Sequence, residues 1–227
     1  MISKNPKNDA YRMLVEKRKS YSFTGLINPS KFEDGKYDCG QVEAWAQWLG
    51  NLNAKIMLVG KDFGGTRFFR EFRGRCNPES QTNKNLIQLF SSLGINIGTP
   101  DRPNISAPVF LTNAIFGLID SSSKGGNSIT PQMLRENAKE FLRPLIDIVD
   151  PEIIIAMGKP AYRGVCFALE IERSHQKLSI GKALASSPLK SASGKLIFPV
   201  YHCGGLGLAN RSFELQRSDW KRIKAYL

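Results

Sequence analysis

The sequence predicts an α/β domain: three αβα layers around a central, mainly parallel four-stranded sheet. Three observations predict it. Residues 55–59, 108–116, 152–157 and 196–200 are short, nearly continuous apolar runs, the pattern of strands covered on both faces. Stretches with helical apolar spacing separate them, as in successive strand–helix units. A length of 227 residues with 41% hydrophobic content supplies one full core and leaves little for a second. Residues 1–227 therefore read as a single domain, with residues 1–50 as a helical and irregular N-terminal extension packed on it.

The elements follow in order. Residues 8–20 read as a basic amphipathic helix, and residues 21–40, with Gly25, Pro29, Gly35 and Gly40, as an irregular approach. Residues 41–49 place Trp45 and Trp48 three apart and predict a helix with inward aromatics. The first strand follows at 55–59. Residues 83–93 put Leu86, Leu89, Phe90 and Leu93 on one helical face, and the second strand spans 108–116. Thr130-Pro131 is a helix start, with a capping hydroxyl followed by a proline at the first helical position. Leu134, Ala138, Phe141, Leu142, Leu145, Ile148 and Val149 continue that helix to Asp150-Pro151. The third strand is 152–157, and Gly158 leads into a helix over about 160–170. A turn at 191–195 precedes the last strand, and residues 212–226 read as helical.

Composition narrows the function. No apolar stretch approaches the roughly 18 residues that span a bilayer. The first seven residues lack a signal-peptide apolar core, so the expected compartment is the cytoplasm, in association with the nucleoid. Lys and Arg total 32 against 20 acids, a net charge of +12 that points to a polyanionic partner. Arg67, Arg70, Arg73 and Arg75 cluster after the first strand, and Lys221, Arg222 and Lys224 lie near the C-terminus; a solubilising surface is the other reading of these clusters. Cys39, Cys76, Cys166 and Cys203 lack the close spacing of a metal site and read as reduced thiols. Cys203, beside His202, is either a nucleophile or a small buried thiol.

Two loops carry the chemistry. Gly60-Lys61-Asp62-Phe63-Gly64-Gly65 follows the first strand, and Tyr201-His202-Cys203-Gly204-Gly205-Leu206-Gly207-Leu208 follows the last. Open α/β sheets place their sites at such strand ends. The first loop fits neither dinucleotide nor Walker spacing, which disfavours a nucleotide cofactor. Asp62 is open to two readings, a turn cap or an electrostatic group and base for water. His202 is one of two histidines; the other, His175, lies in a polar stretch. Alone, His202 reads equally as a core histidine. Asn113, inside an apolar strand, either ties down a loop or reads the edge of a planar polar ligand.

Four segments in this order resemble the uracil-DNA glycosylase superfamily. They are Ile56-Met57-Leu58-Val59-Gly60-Lys61-Asp62-Phe63-Gly64, Val109-Phe110-Leu111-Thr112-Asn113, Pro151-Glu152-Ile153-Ile154-Ile155-Ala156-Met157-Gly158-Lys159-Pro160-Ala161 and Val200-Tyr201-His202. The third is most similar to bacterial branches. The resemblance covers about residues 50–225 and implies a uracil-DNA glycosylase-like fold and a monofunctional enzyme that hydrolyses the N-glycosidic bond of a base flipped out of DNA. It implies that Asp62 stabilises the sugar cation or orients water, and that His202 stabilises the departing base. Asn113 would read the base edge, with Gly60, Lys61, Phe63 and Gly64 around it. Leu206 would be the wedge that fills the vacated stack, with Leu208, Arg211, Arg67 and Arg73 on the DNA. No metal or cofactor is expected: some branches hold an iron–sulfur cluster on cysteines, and these four do not match that pattern. The expected partner is DNA and the expected state a monomer.

The departures are local. His202-Cys203-Gly204 stands where the family usually has His-Pro-Ser, and the stacking aromatic is Phe63 or Phe72. Strict uracil enzymes carry a tyrosine two residues after the acid, against the thymine methyl; here it is Gly64, so the pocket is expected to admit 5-substituted pyrimidines. The alternatives are a catalytically weak DNA- or base-binding member and a small-molecule hydrolase or transferase.

Overall fold

The computed structural model describes residues 6–122 and 129–227; residues 1–5, part of the stretch read above for a signal segment, lie outside them. In chain order the strands are β1 (Ile56–Gly60), β2 (Gly98–Thr99), β3 (Arg102–Pro103), β4 (Val109–Asn113), β5 (Ile153–Met157), β6 (Leu189–Lys190) and β7 (Leu196–Val200). The central sheet runs β4-β1-β5-β7-β6, and β2–β3 form a separate ribbon. β4, β1, β5 and β7 are parallel, as expected. The sheet has five strands rather than four, because β6 pairs antiparallel to β7 across the 191–195 turn. A two-residue strand has no periodicity to read.

The helices are α1 (Pro6–Ser20), α2 (Thr66–Glu71), α3 (Gln81–Ser92), α4 (Pro131–Asn137), α5 (Arg143–Val149), α6 (Lys159–Ala168), α7 (Arg173–Lys177), α8 (Ile180–Ala185), α9 (Gly205–Asn210) and α10 (Phe213–Lys221). Strand side chains alternate between two cores. Met57, Val59, Phe110, Ile154, Ala156 and Ile197 pack with α1 and with the helices that follow β4 and β5. Ile56, Leu58, Val109, Leu111, Ile155 and Phe198 pack with Trp45, Trp48, α3 and Trp220 of α10. Burial on both faces is why the strands read as continuous apolar runs. Among the described residues no helix is long and apolar enough to cross a membrane.

Three local features correct the sequence reading. Residues 41–49 are not a helix: a short 3-10 turn, Ala44–Gln47, follows an extended Glu43. Leu49 O then accepts from Leu111 N at 2.8 Å, tying the segment to the edge strand β4 instead of to its own next turn. The helix expected from 131 to 149 opens as read, with Thr130 Oγ1 accepting from Met133 N at 3.2 Å. It then bulges into a π turn, Ala138–Leu142, and Arg143 N donates to Ala138 O, five residues back. Pro144 has no N–H to continue the regular ladder, which fits a bulge at this point. The C-terminal segment divides into α10 and a 3-10 turn, Arg222–Tyr226.

The N-terminal residues are anchored by one buried cation. Arg18 is 1% exposed. Its Nη1 meets both Asp38 oxygens, at 2.7 and 2.8 Å, and Ser30 Oγ at 2.8 Å. Its Nη2 donates to Cys39 O and Gln41 O at 3.1 and 2.9 Å. A buried charge needs such pairing, although Arg18 Nε is left without a partner. The result is a fixed path for residues 38–43 toward the C-terminal end of the sheet.

Candidate active site

Register places the site. Gly60, last in β1, pairs with Asn113, last in β4. A Cβ on Gly60 would lie 2.4 Å from Asn113 Oδ1 and 2.7 Å from the Trp45 ring, so only glycine lets these groups meet. Beyond β1, the Asp62 side chain is 6% exposed. Its Oδ2 lies 2.9 Å from Lys61 Nζ, an ion pair outside hydrogen-bonding geometry. Asp62 does not cap α2, whose N-cap is Gly65, so the turn-cap reading falls away.

β7 ends one position before the second loop. Gly204 N donates to His202 Nδ1 at 3.0 Å. An imidazole nitrogen that accepts carries no proton, so the neutral ring has its proton on Nε2. Burial, with the nearby Lys61 ammonium, holds the His202 pKa below its ordinary 6.5; Asp62 opposes this. The ring is therefore neutral at pH 7 and offers Nε2–H as a donor. Two of the loop glycines are sterically constrained: a Cβ on Gly207 would sit 1.8 Å from His202 O, and one on Gly204 would sit 2.3 Å from Thr82 Oγ1, whereas a Cβ on Gly205 would meet nothing within 4 Å. Cys203 is fully buried against Thr82 O and Met157 Sδ, each 3.5 Å from its sulfur. Burial pushes its thiol up to about 12, so it is a packing group and not a nucleophile.

Asp62, Asn113 and His202 line one hollow of about 170 Å³, together with Lys61, Phe63 and Trp45. A wider groove of about 750 Å³ shares Lys61, Asp62 and His202 and continues along Gly158, Tyr201 and Leu206. Leu206, at the start of α9, is 86% exposed. Leu208 is half-buried on the same helix. The other expected contacts lie outside the hollow. Arg67 is exposed on α2. Arg73 lines a separate hollow with Lys36, Phe72 and Arg75. Arg211 is engaged by Asp219, with Nε–Oδ2 2.5 Å and Nη2–Oδ1 2.8 Å, and lies over Tyr201. Gly64 has φ +111 and borders Phe68.

Of the two aromatics considered for stacking, Phe63 lines the hollow and Phe72 does not. Phe68 also lines it, in edge contact with Phe63 at 5.7 Å, and the sequence reading missed it. It missed Glu43 as well, whose Oε2 accepts from Asn113 Nδ2 at 3.0 Å. The signal was present: an acid between Val42 and Ala44, in a stretch otherwise read for its tryptophans. The four thiols are scattered, with Cys166 in one core and Cys76 and Cys203 in the other. They do not fit a cluster, and among the described residues no group of three or more His, Cys, Asp and Glu is placed to hold a metal ion.

A carboxylate, an amide and a neutral imidazole thus converge on one small hollow at the ends of parallel strands. Sequence comparison gives the family: the model for the Uracil DNA glycosylase superfamily matches residues 47–226, and the chain belongs to that superfamily. It is 27% identical over 184 residues to a protein of Thermotoga maritima named type-4 uracil-DNA glycosylase, covering 78% of this chain and 80% of that one. It is 23% identical over 169 residues to a type-5 uracil-DNA glycosylase of Pyrobaculum aerophilum, covering 70% and 68%.

Proposed function

We propose that this protein is a monofunctional DNA glycosylase that hydrolyses the N-glycosidic bond of uracil or a related modified base, the first step of base excision repair. The observation that carries the reading is the convergence of Asp62, Asn113 and His202 on one hollow of about 170 Å³ beside the wider groove. Water attacks the sugar C1′ as the C1′–N bond breaks, and the bonding pair leaves on the base. Asp62 stabilises the positive sugar and accepts a proton from the water. His202 donates its Nε2–H to the carbonyl oxygen where negative charge collects, and Asn113 holds the base edge. Both ends of the developing charge separation meet preorganised groups. The +12 charge, with Arg67 and Arg73 exposed, supplies phosphate attraction, and Leu206 projects as the wedge. The protein acts on DNA as a monomer in the nucleoid.

Gly64 supplies no side chain to exclude a 5-substituent, so bases larger than uracil belong to the proposed substrate range; Phe68, which borders Gly64 and lines the hollow, is the remaining group that would limit their size. One observation favours a second reading, a DNA- or base-binding member of low activity. The Lys61 ammonium lies against Asp62 and competes with the sugar cation for its charge. Abasic-site cleavage of single strands and duplexes carrying uracil, thymine, hypoxanthine or 5-hydroxymethyluracil opposite G and A separates the two. Release of uracil and at least one larger base is expected. Release of uracil alone removes the Gly64 argument, binding without release supports the second reading, and neither binding nor release rejects both.

A further inference from the structure

Glu43 has no part in the chemistry above, yet it is buried beside the hollow and bonded to the residue that reads the base. Its backbone is extended, φ −161 and ψ 172, and delivers the carboxylate under Trp45. Oε2 accepts from Trp45 N and from Asn113 Nδ2, both at 3.0 Å. Oε1 and Asn113 Oδ1 are buried without a hydrogen-bond partner of normal geometry, although the Ala46 N–H lies near enough to favour the charged carboxylate. A carboxylate kept out of water is costly, and two orphaned oxygens add to the cost.

We propose that Glu43 is a positioning residue that sets which class of base the hollow accepts, by fixing the Asn113 amide with its oxygen toward the base. The proposal rests on the glycosylase reading. An asparagine amide can sit either way round, and only its partners decide. A carboxylate only accepts, so the nitrogen must face Glu43. The oxygen then turns toward Gly60, where the missing Cβ leaves it room. In the proposal this buried, unpartnered oxygen is the acceptor for the base, together with the second N–H of the same amide. Uracil presents the complement, a ring N–H beside a carbonyl. Cytosine presents the reverse, a ring acceptor beside an amino group, and would need the amide turned round.

The surrounding groups keep Glu43 in place. The Tyr11 hydroxyl donates to Gln41 Oε1 at 2.9 Å and accepts from Val42 N at 3.1 Å. Arg18, paired with Asp38, holds the carbonyls of Cys39 and Gln41. The charged and titratable groups that act on Glu43, or feel its charge, are Arg18, Tyr11 and the Cys39 and Cys76 thiols. Burial dominates and raises the carboxyl to about 7. On protonation the hydrogen belongs on Oε1, the oxygen without a partner, and the Asn113 contact weakens because its acceptor has lost charge.

Glu43→Leu keeps the volume and removes the acceptor; Glu43→Gln keeps an acceptor oxygen for both N–H groups. Single-turnover release from single strands carrying uracil or cytosine is expected to show Glu43→Leu losing roughly tenfold to a hundredfold in uracil-over-cytosine discrimination. Glu43→Gln should stay within about threefold of wild type, because the same two bonds reform. Unchanged discrimination in a folded Glu43→Leu overturns the proposal. Should that variant not fold, nuclear magnetic resonance of wild type decides: the Asn113 side-chain amide protons should shift with a midpoint near pH 7, and stay flat in Glu43→Gln. A flat wild-type response overturns the contact. If wild type releases no base, the glycosylase reading fails separately. The relative affinity of wild type and Glu43→Leu for the two strands then decides the role of Glu43.

Discussion

Replacing Glu43 by glutamine should change how stability depends on pH, and the size follows from burial. The carboxyl rises from its ordinary 4.5 to about 7, with burial the leading cause. A carboxyl whose pKa is raised by folding holds its proton more tightly in the native state. Its contribution to stability is complete below pH 4.5 and is lost as pH climbs through 7. Over that window the loss is about 3 kcal/mol, from roughly 1.4 kcal/mol for each pH unit of separation. Glutamine cannot ionise and imitates the protonated acid. The stability of Glu43→Gln minus that of wild type should therefore grow by about 3 kcal/mol between pH 4 and pH 8. In melting temperature this is about 6–12 °C for a chain of this length. Urea and thermal melts of both proteins at matched pH give the difference directly, and packing effects of the amide cancel because only the change with pH is read. Parallel curves for the two proteins would refute the assignment of a buried, proton-holding carboxyl to Glu43.

Three further outcomes follow from the geometry. Nitrogen-15 spectra of His202 should show the Nε2–H tautomer at pH 7 and a midpoint below 6.5; an Nδ1–H ring contradicts the Gly204 bond. Gly207→Ala should lower uracil release about a hundredfold with little change in fold, since the new Cβ displaces the His202 carbonyl by its approach at 1.8 Å. Normal turnover in that variant would mean the loop tolerates movement. Leu206→Ala should leave stability within about 0.5 kcal/mol, because the side chain is 86% exposed, and should slow release from duplex more than from single strands; equal slowing on both removes the wedge role.

Much of the frame was legible because its physics is local or periodic. The four parallel strands are apolar on both faces and announce themselves as runs, and Thr130-Pro131 is a chemical start signal that the structure uses. Asp62 and His202 were visible as an acid and a histidine set among glycines at strand ends. Glu43 was hidden because its meaning depends on a partner 70 residues away, Asn113, and on an extended backbone that tryptophan spacing had disguised as helix. Phe68 was hidden because the six-residue α2 that carries it is too short to show an apolar period. The engagement of Arg211 by Asp219 depends on how α10 folds back over the second loop. Sequence composition showed its charge, and only the fold shows that the charge is already paired.

The proposed chemistry needs Asp62 and His202 to act together on a flipped base. Its most direct measurement is free uracil released in a single turnover from uracil-containing DNA by wild type, Asp62→Ala and His202→Ala, with DNA binding measured in parallel. Release by wild type, a loss of about a hundredfold or more in each variant, and unchanged DNA affinity are the predicted results. Wild-type rates in either variant, or no release by wild type under conditions where it binds the DNA, would contradict the account.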